Sequence, residues 1–112
     1  MKNIINLPME SPVRAVFTMD GDYMLPYIRS GEGVRVSFER PKLGECGLFR
    51  AGEETLVRQY CADALGNVYL FALNRVFCAL DRMFPHGDGL VCLGKLLLDE
   101  CPPLPLDFGG EP

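Results

Sequence analysis

The sequence predicts a mainly β domain of antiparallel strands, with a barrel-like or sandwich-like arrangement. Residues 34–38 alternate apolar and polar side chains, which is typical of a strand with one buried face. Residues 55–60 and 68–73 are two further strand candidates, and the Ala-Leu-Gly-Asn sequence between them is typical of a hairpin turn. Short strands joined by glycine-containing turns favour antiparallel pairing between neighbours in the chain.

The outer elements set the predicted limits of the domain. Residues 13–18 are expected to open it as a strand, and residues 90–98 are expected to close it. Residues 24–28 contain a proline and are expected to form one helical turn, because proline is tolerated only in the first turn of a helix.

We therefore expect three segments along the chain. Residues 1–12 are a lead-in, residues 13–100 form the domain, and residues 101–112 form a tail. The tail is rich in proline and glycine, a composition that favours an extended or loose segment over an added element. Its Pro-Pro-Leu-Pro sequence also matches a short polyproline ligand, although a disordered tail is the simpler interpretation.

The length and composition indicate one soluble globular domain. The chain has 112 residues, of which 48% are hydrophobic and 23% are charged. No apolar run approaches the roughly 20 residues that span a bilayer, and the first residues lack the apolar stretch of a signal peptide. We expect a cytoplasmic protein that does not bind membranes.

The charge balance argues against nucleic-acid binding. The chain carries 11 Lys and Arg against 15 Asp and Glu, so its net charge is −4. A domain without a basic cluster lacks the phosphate contacts that dominate nucleic-acid affinity. We therefore expect no direct binding of DNA or RNA.

The cysteines and the single histidine are poor material for a metal site. The five cysteines form no C-x-x-C pair, and four of them lie in apolar or strand-like segments, where cysteine behaves as a small buried hydrophobe. They are Cys46, Cys61, Cys78, Cys92 and Cys101. Asp81, His86 and Asp88 form a cluster, but the prolines and glycines around it indicate a surface loop with solvated charges. We expect reduced thiols, no metal and no cofactor.

Three stretches in a fixed order, spanning residues 16–98, carry a stronger signal. They are Met-Asp-Gly-Asp-Tyr-Met-Leu-Pro at 19–26 with Ile-Arg-Ser-Gly-Glu-Gly-Val-Arg-Val at 28–36, Pro-Lys-Leu-Gly-Glu-Cys-Gly-Leu-Phe at 41–49 with Thr-Leu-Val-Arg-Gln-Tyr at 55–60, and Val-Tyr-Leu-Phe-Ala-Leu-Asn at 68–74 with Leu-Gly-Lys at 93–95. This ordered set resembles the LexA/signal peptidase-like serine peptidase domain, the C-terminal domain of self-cleaving phage and SOS repressors. The resemblance implies a mainly β, barrel-like fold of coiled antiparallel sheets.

The resemblance also implies where a catalytic pair would lie. In the family the first motif has the form Gly-Asp-Ser-Met-x-Pro, its serine is the nucleophile, and a lysine on a later strand is the general base. Such a lysine accepts the serine proton only when burial lowers its pKa toward about 7–8. In this sequence Tyr23 stands at the serine position and Arg58 at the lysine position.

These replacements predict a pseudoenzyme without catalytic residues. Arginine, with a pKa above about 12, does not act as a neutral base, and a tyrosine hydroxyl is set farther from the backbone than a serine oxygen. Loss of the nucleophile alone costs on the order of 10⁶ in rate in a serine protease. The other serines and two candidate lysines lie outside the nucleophile and base contexts: Ser11, Ser30, Ser37, Lys42 and Lys95.

The same resemblance supplies a candidate cleft or partner-binding site. Its residues are Asp20, Gly21, Asp22, Tyr23, Met24, Pro26 and Arg58. Either Tyr23 plugs the former site with Arg58 packed over it, or the cleft binds a peptide strand without cutting it. Asp20 and Asp22 are interpreted as turn residues that hold the loop rather than as paired acid–base carboxylates.

The resemblance leads to one main hypothesis for function and two alternatives. We expect a catalytically inactive peptidase-like domain that serves oligomerisation or regulatory interaction in phage-repressor-type transcriptional regulation, as a homodimer or as a heterodimer with a repressor-like protein. The alternatives are an active or atypical serine peptidase and an antagonist that heterodimerises with an active family member. Because the resemblance already begins at residue 16, we expect a separated domain or a stand-alone module.

Overall fold

The computed structural model describes residues 4–6 and 15–105, and β-strands dominate this part of the chain. Within these ranges, eight strands are accompanied by two 3-10 helices, Arg75–Leu80 and Pro85–Gly87. The strands are β1 Ile4–Asn6, β2 Ala15–Thr18, β3 Gly33–Ser37, β4 Cys46–Ala51, β5 Glu54–Ala62, β6 Val68–Phe71, β7 Arg82–Phe84 and β8 Leu90–Leu96. The prediction of a mainly β domain is confirmed. Neither helix in the described part of the chain has the length and apolar character needed to cross a membrane.

The described strands form one antiparallel sheet with the order β1-β2-β3-β8-β4-β5-β6-β7. The last strand, β8, lies between β3 and β4 and so joins the two halves of the sheet. Leu96 of β8 pairs with Val36 of β3. Gly94 of β8 pairs with Leu48 of β4. Because β1 and β7 are edge strands that do not pair with each other, the strands of the described residues leave the sheet open rather than closed into a barrel.

Local sequence explains the turns between neighbouring strands. Gly52, with a φ of +62°, lies in the tight connection between β4 and β5. The hairpin turn predicted between β5 and β6 is confirmed. Its geometry is fixed by Asp63, whose Oδ1 accepts hydrogen bonds of 3.0 Å from the backbone N–H groups of Leu65 and Asn67. Residues 24–28 form a turn, in which the Met24 carbonyl accepts from the backbone N–H groups of Tyr27 and Ile28 at 3.0 Å. The predicted helical geometry is wrong, because the peptide bond between Leu25 and Pro26 is cis and a helical turn has only trans peptide bonds.

Two apolar clusters pack against the sheet. Leu48 and Phe49 are neighbours on β4 but belong to different clusters, so the clusters lie on opposite faces of the sheet. The first cluster consists of Ala15, Phe17, Met19, Met24, Ile28, Val34, Val36, Cys46, Leu48, Val57, Leu73 and Leu96. The second consists of Phe49, Leu56, Val68, Leu70 and Phe84. The first cluster holds the loop that carries the first sequence motif.

Two expectations about the cysteines and the tail need correction. Cys46 and Cys61 are buried, but Cys78 is exposed because its apolar segment forms a 3-10 helix on the surface instead of a strand. Residues 101–105 have no regular secondary structure, as predicted, yet they are held against β5, because Gln59 Nε2 donates a 2.7 Å hydrogen bond to the Pro102 carbonyl.

Candidate functional site

The loop between β2 and β3 carries the first motif and is fixed at both ends. The Met19 N–H donates to the Glu32 carbonyl at 2.9 Å, and the Gly31 N–H donates to the Met19 carbonyl at 2.7 Å. Met24 and Ile28 are fully buried in the first apolar cluster. Backbone pairing and burial together leave this loop one well-defined position on the sheet.

Gly21 allows the loop to bring Tyr23 against its own backbone. It has a φ of +94°, which favours glycine, and its N–H donates to Ser30 Oγ at 3.1 Å. A Cβ at this position would lie 2.5 Å from Cε2 of Tyr23. A side chain at residue 21 would therefore displace the Tyr23 ring.

Tyr23 is held between residues from distant parts of the chain. The Cζ atom of Arg58, on β5, lies 4.8 Å from the Tyr23 ring centroid. The Phe77 ring, on the 3-10 helix, lies 4.9 Å away between centroids and is tilted by 58°. The Tyr23 carbonyl accepts a 2.9 Å hydrogen bond from the backbone N–H of Asn74. We call Tyr23, Arg58, Asn74 and Phe77 the Tyr23 cluster.

Arg58 brings a positive charge into this cluster. Its side chain is buried, and Nη1 donates a 2.8 Å hydrogen bond to the Val57 carbonyl. Burial lowers the pKa of Arg58, and the neighbouring Tyr23 opposes that effect. Since arginine stays protonated in proteins, the guanidinium remains a cation stabilised by the Tyr23 ring and one carbonyl. It cannot accept a proton from a nucleophile.

The other predicted site residues serve the loop or the core. Asp20 and Asp22 are exposed, and the Asp22 carbonyl accepts a 2.9 Å hydrogen bond from Asn74 Nδ2. Pro26 is also exposed, whereas the Met24 side chain contributes to the core and does not face solvent. The structure thus brings Tyr23 and Arg58 together and places the rest of the predicted set around or beneath them.

Ser30, Ser37 and Lys95 take part in hydrogen bonding, packing or ion pairing, whereas Lys42 is exposed. Ser30 accepts the Gly21 hydrogen bond described above, and Ser11 lies outside the described residues. Ser37 is buried on β3 and is the register partner of Lys95 on β8. The Lys95 ammonium forms an ion pair with Glu45 at 3.6 Å.

The residues of the predicted cluster Asp81, His86 and Asp88 have different surroundings in the structure. Asp81 forms a 2.8 Å ion pair with Arg75. His86 Nδ1 lies 3.2 Å from the Leu65 carbonyl, and Asp88 is exposed. Among the described residues, no group of three His, Cys, Asp or Glu side chains is placed to hold a metal ion.

A cavity of about 470 Å³ lies beside the loop, between the body of the domain and the C-terminal segment. Tyr27, Leu73 and Gln59 line one side of it, and Pro102 and Pro103 line the other. The sequence analysis did not single out Gln59 or Phe77, since the resemblance assigns a role to neither of them. The signal for Gln59 was its polar side chain in a strand that is otherwise buried.

Comparison with protein-family models finds no match for the chain, and comparison with the curated proteins finds no significant relative. The chemistry of the Tyr23 cluster is therefore the main indication of function.

Proposed function

We propose that the chain is a catalytically inactive peptidase-like domain of the LexA/signal peptidase type, which acts as an oligomerisation or regulatory interaction module. The contact between Tyr23 and Arg58 carries this proposal, with the Arg58 Cζ atom 4.8 Å from the Tyr23 ring centroid. These are the positions to which the resemblance assigns nucleophile and base. They are neighbours in space although they are distant in sequence, and their side chains cannot perform the reaction.

The packing of Tyr23 supports the plug rather than the open peptide cleft. Arg58 lies over the ring, and Phe77 packs against it from the 3-10 helix. A bound peptide strand would have to displace one of these contacts, each worth about 1 kcal/mol. The partner surface of the proposed module therefore lies outside the Tyr23 cluster.

The proposed partner is a second copy of this chain, in cytoplasmic regulation of the phage-repressor type. Large apolar side chains are exposed on the described surface, among them Phe38, Leu43 and Val76, which are 60%, 62% and 84% exposed. Burial of such side chains is the main source of affinity between protein subunits. A heterodimer with a repressor-like protein is the alternative use of the same module.

The oligomeric state is tested by the solution mass from light scattering over a hundredfold range of concentration. The proposal predicts a dimer throughout that range. A monomer at every concentration would contradict homodimerisation. It would favour the antagonist, which predicts a tight complex with a repressor-like protein and weak self-association.

The absence of catalysis is tested with four proteins: the wild type, Tyr23→Ser, Arg58→Lys and the double variant. We expect no cleavage of self or of peptides by the wild type at neutral or alkaline pH. Wild-type cleavage that disappears in Tyr23→Phe would overturn the proposal in favour of an atypical peptidase. Cleavage by the double variant alone would support an otherwise intact peptidase scaffold, whereas an inactive double variant would mean that the cleft has lost its substrate geometry as well.

A further inference from the structure

Two cysteines far apart in sequence lie next to each other at the start of β4. Cys46 is the first residue of that strand, and Cys101 belongs to the C-terminal segment. Their Sγ atoms are 3.4 Å apart. A disulfide requires about 2.05 Å, so the two sulfurs need to approach by roughly 1.4 Å to bond.

Hydrogen bonds hold Cys101 in this position. Its Sγ donates to the Gly44 carbonyl at 3.1 Å. The Gln59 side chain is 1% exposed, and its Nε2 donates to the Gly44 carbonyl at 2.9 Å and to the Pro102 carbonyl at 2.7 Å. Because Gln59 contacts both the β3–β4 connection and the C-terminal segment, it positions the two thiols for each other.

The two thiols differ in exposure and in acidity. Cys101 is exposed, and hydrogen bonds from the Cys46 thiol and from Gln59 lower its pKa, against burial and the charge of Glu45. Cys46 is buried, and the hydrogen bond to Cys101 together with burial raises its pKa. The exposed sulfur is thus the more acidic of the two and the one that more readily reacts with an oxidant.

A cavity of about 290 Å³ lies beside the pair and has room for a molecule as small as a peroxide. Both cysteines line it, together with Arg35, Glu45 and Lys95.

We propose that Cys46 and Cys101 form a reversible disulfide, generated by a peroxide, that fastens the C-terminal segment to β4. The Cys101 thiolate attacks one peroxide oxygen, the O–O bond breaks, and hydroxide leaves, giving a sulfenic acid at Cys101. The Cys46 sulfur then attacks the Cys101 sulfur and water leaves. In total two thiols and one hydrogen peroxide give one disulfide and two waters, with each sulfur oxidised by one electron. This proposal does not depend on the proposed function.

The bond would change how the C-terminal segment is held. In the reduced protein the segment is attached to the domain by the hydrogen bonds at Gln59 and Gly44, without a covalent link. In the oxidised protein a covalent bond keeps Pro102 and Pro103 in place as one wall of the 470 Å³ cavity. Oxidation therefore stabilises the cavity, and reduction allows it to open.

The test treats the full chain with hydrogen peroxide, alkylates the remaining thiols and measures the intact mass and the peptides under non-reducing conditions. We expect the five alkylatable cysteines of the reduced protein to fall to three, with one peptide pair linked through Cys46 and Cys101 and full reversal by dithiothreitol. Cys101→Ser, a change at an exposed residue, abolishes the linkage, whereas Cys78→Ser leaves it intact because Cys78 is exposed elsewhere.

Three results would overturn the proposal. They are a Cys101 sulfinic acid with Cys46 still alkylatable, a linkage that joins two chains, and unchanged thiol counts after peroxide treatment. Limited proteolysis of residues 97–105 gives an independent measurement. We expect cleavage there to be about tenfold slower in the oxidised wild type and unchanged in peroxide-treated Cys101→Ser. Equal cleavage rates in the oxidised and reduced wild type would show that the segment is not fastened.

Discussion

Arg58 and Gln59 are adjacent on β5, and both are polar and buried, yet they stabilise different parts of the chain. Because neighbouring residues of a strand point to opposite faces of the sheet, each side chain meets its own surroundings. Arg58 packs over Tyr23 of the β2–β3 loop. Gln59 binds the carbonyl of Pro102 in the C-terminal segment.

The two contacts differ in which part of the chain leaves the sheet when the contact breaks. Tyr23 belongs to a loop fixed by backbone hydrogen bonds and by the fully buried Met24, so its backbone cannot move away from Arg58 without disrupting the apolar core. Pro102 belongs to a segment without strand pairing, so its contact with Gln59 can open while the sheet stays intact. Arg58 thus contributes to the global stability of the domain, whereas Gln59 contributes to the attachment of the C-terminal segment.

The largest effect is expected at Arg58. Arg58→Ala removes a buried side chain and its contact with the Tyr23 ring, and we expect the free energy of unfolding to fall by about 3 kcal/mol. The matched control is Arg82→Ala. Arg82 lies 4.9 Å from the Phe84 ring centroid but is exposed, so its loss should cost about 0.5 kcal/mol. Urea denaturation measures both, and equal losses would contradict the role of burial.

A second prediction concerns the glycine beneath Tyr23. Gly21→Ala should lower the free energy of unfolding by about 2 kcal/mol more than Gly31→Ala. Both glycines have a positive φ, at +94° and +88°, but a Cβ at Gly31 meets no atom within 4 Å, whereas one at Gly21 meets the Tyr23 ring.

Both variants place an alanine at a positive φ, so they share that backbone cost. The difference between their free energies of unfolding therefore measures the clash of the new Cβ with the Tyr23 ring. In a Tyr23→Ala background the difference between the two glycine variants should disappear in thermal or urea denaturation. A difference that persists without the ring would place its cause in the backbone rather than in Tyr23.

Gln59→Leu should lower the free energy of unfolding less than Arg58→Ala does, but it should loosen the C-terminal segment more. The change leaves the Pro102 and Gly44 carbonyls without this donor, and we expect a loss of about 1–2 kcal/mol in the free energy of unfolding. Proteolysis of residues 97–105 in the reduced protein should become faster, while Arg58→Met should leave that rate unchanged. Faster cleavage in Arg58→Met under folding conditions would contradict the separation of the two roles.

The smallest effect is expected at Asp63, which directly follows β5, when the pH is lowered. Burial acts to raise the pKa of the Asp63 carboxyl, but hydrogen bonds from Asn67 and Tyr69 outweigh it and hold the pKa below its ordinary value. The unfolded state therefore takes up this proton first, and the stabilisation, complete above a pH of about 4, is lost as the pH falls through the lower folded-state pKa. Asp63→Asn should flatten the dependence of stability on pH in this acid range, measured by urea denaturation at several pH values. An unchanged slope would exclude Asp63 as its source.

The elements that follow from local sequence could be predicted. The alternation at residues 34–38 and the turn before Val68 give β3 and the β5–β6 hairpin because strand periodicity and turn chemistry act over a few residues. The resemblance predicted that Tyr23 and Arg58 are neighbours, and Arg58 Cζ lies 4.8 Å from the Tyr23 ring centroid; the family assignment itself stays a prediction.

The contacts that depend on distant chain crossings could not be predicted. Cys46 and Cys101 meet because β8 enters the sheet beside β4 and delivers the C-terminal segment to that place. No local pattern encodes that position. The exposed position of the apolar segment around Cys78 also could not be predicted, because hydrophobicity alone does not distinguish a buried strand from a surface 3-10 helix. The side chain of Asn74 caps this helix by accepting from the Val76 N–H.

The position of β8 also has a consequence for synthesis on the ribosome. Until Leu90–Leu96 has emerged, β3 and β4 both present an open edge to the same missing neighbour. The nascent chain can form its local hairpins early, but the single sheet is completed only when nearly all the described residues are available. During that interval the open edges can pair with other chains, so a chaperone that covers β3 and β4 would raise the yield of folded protein.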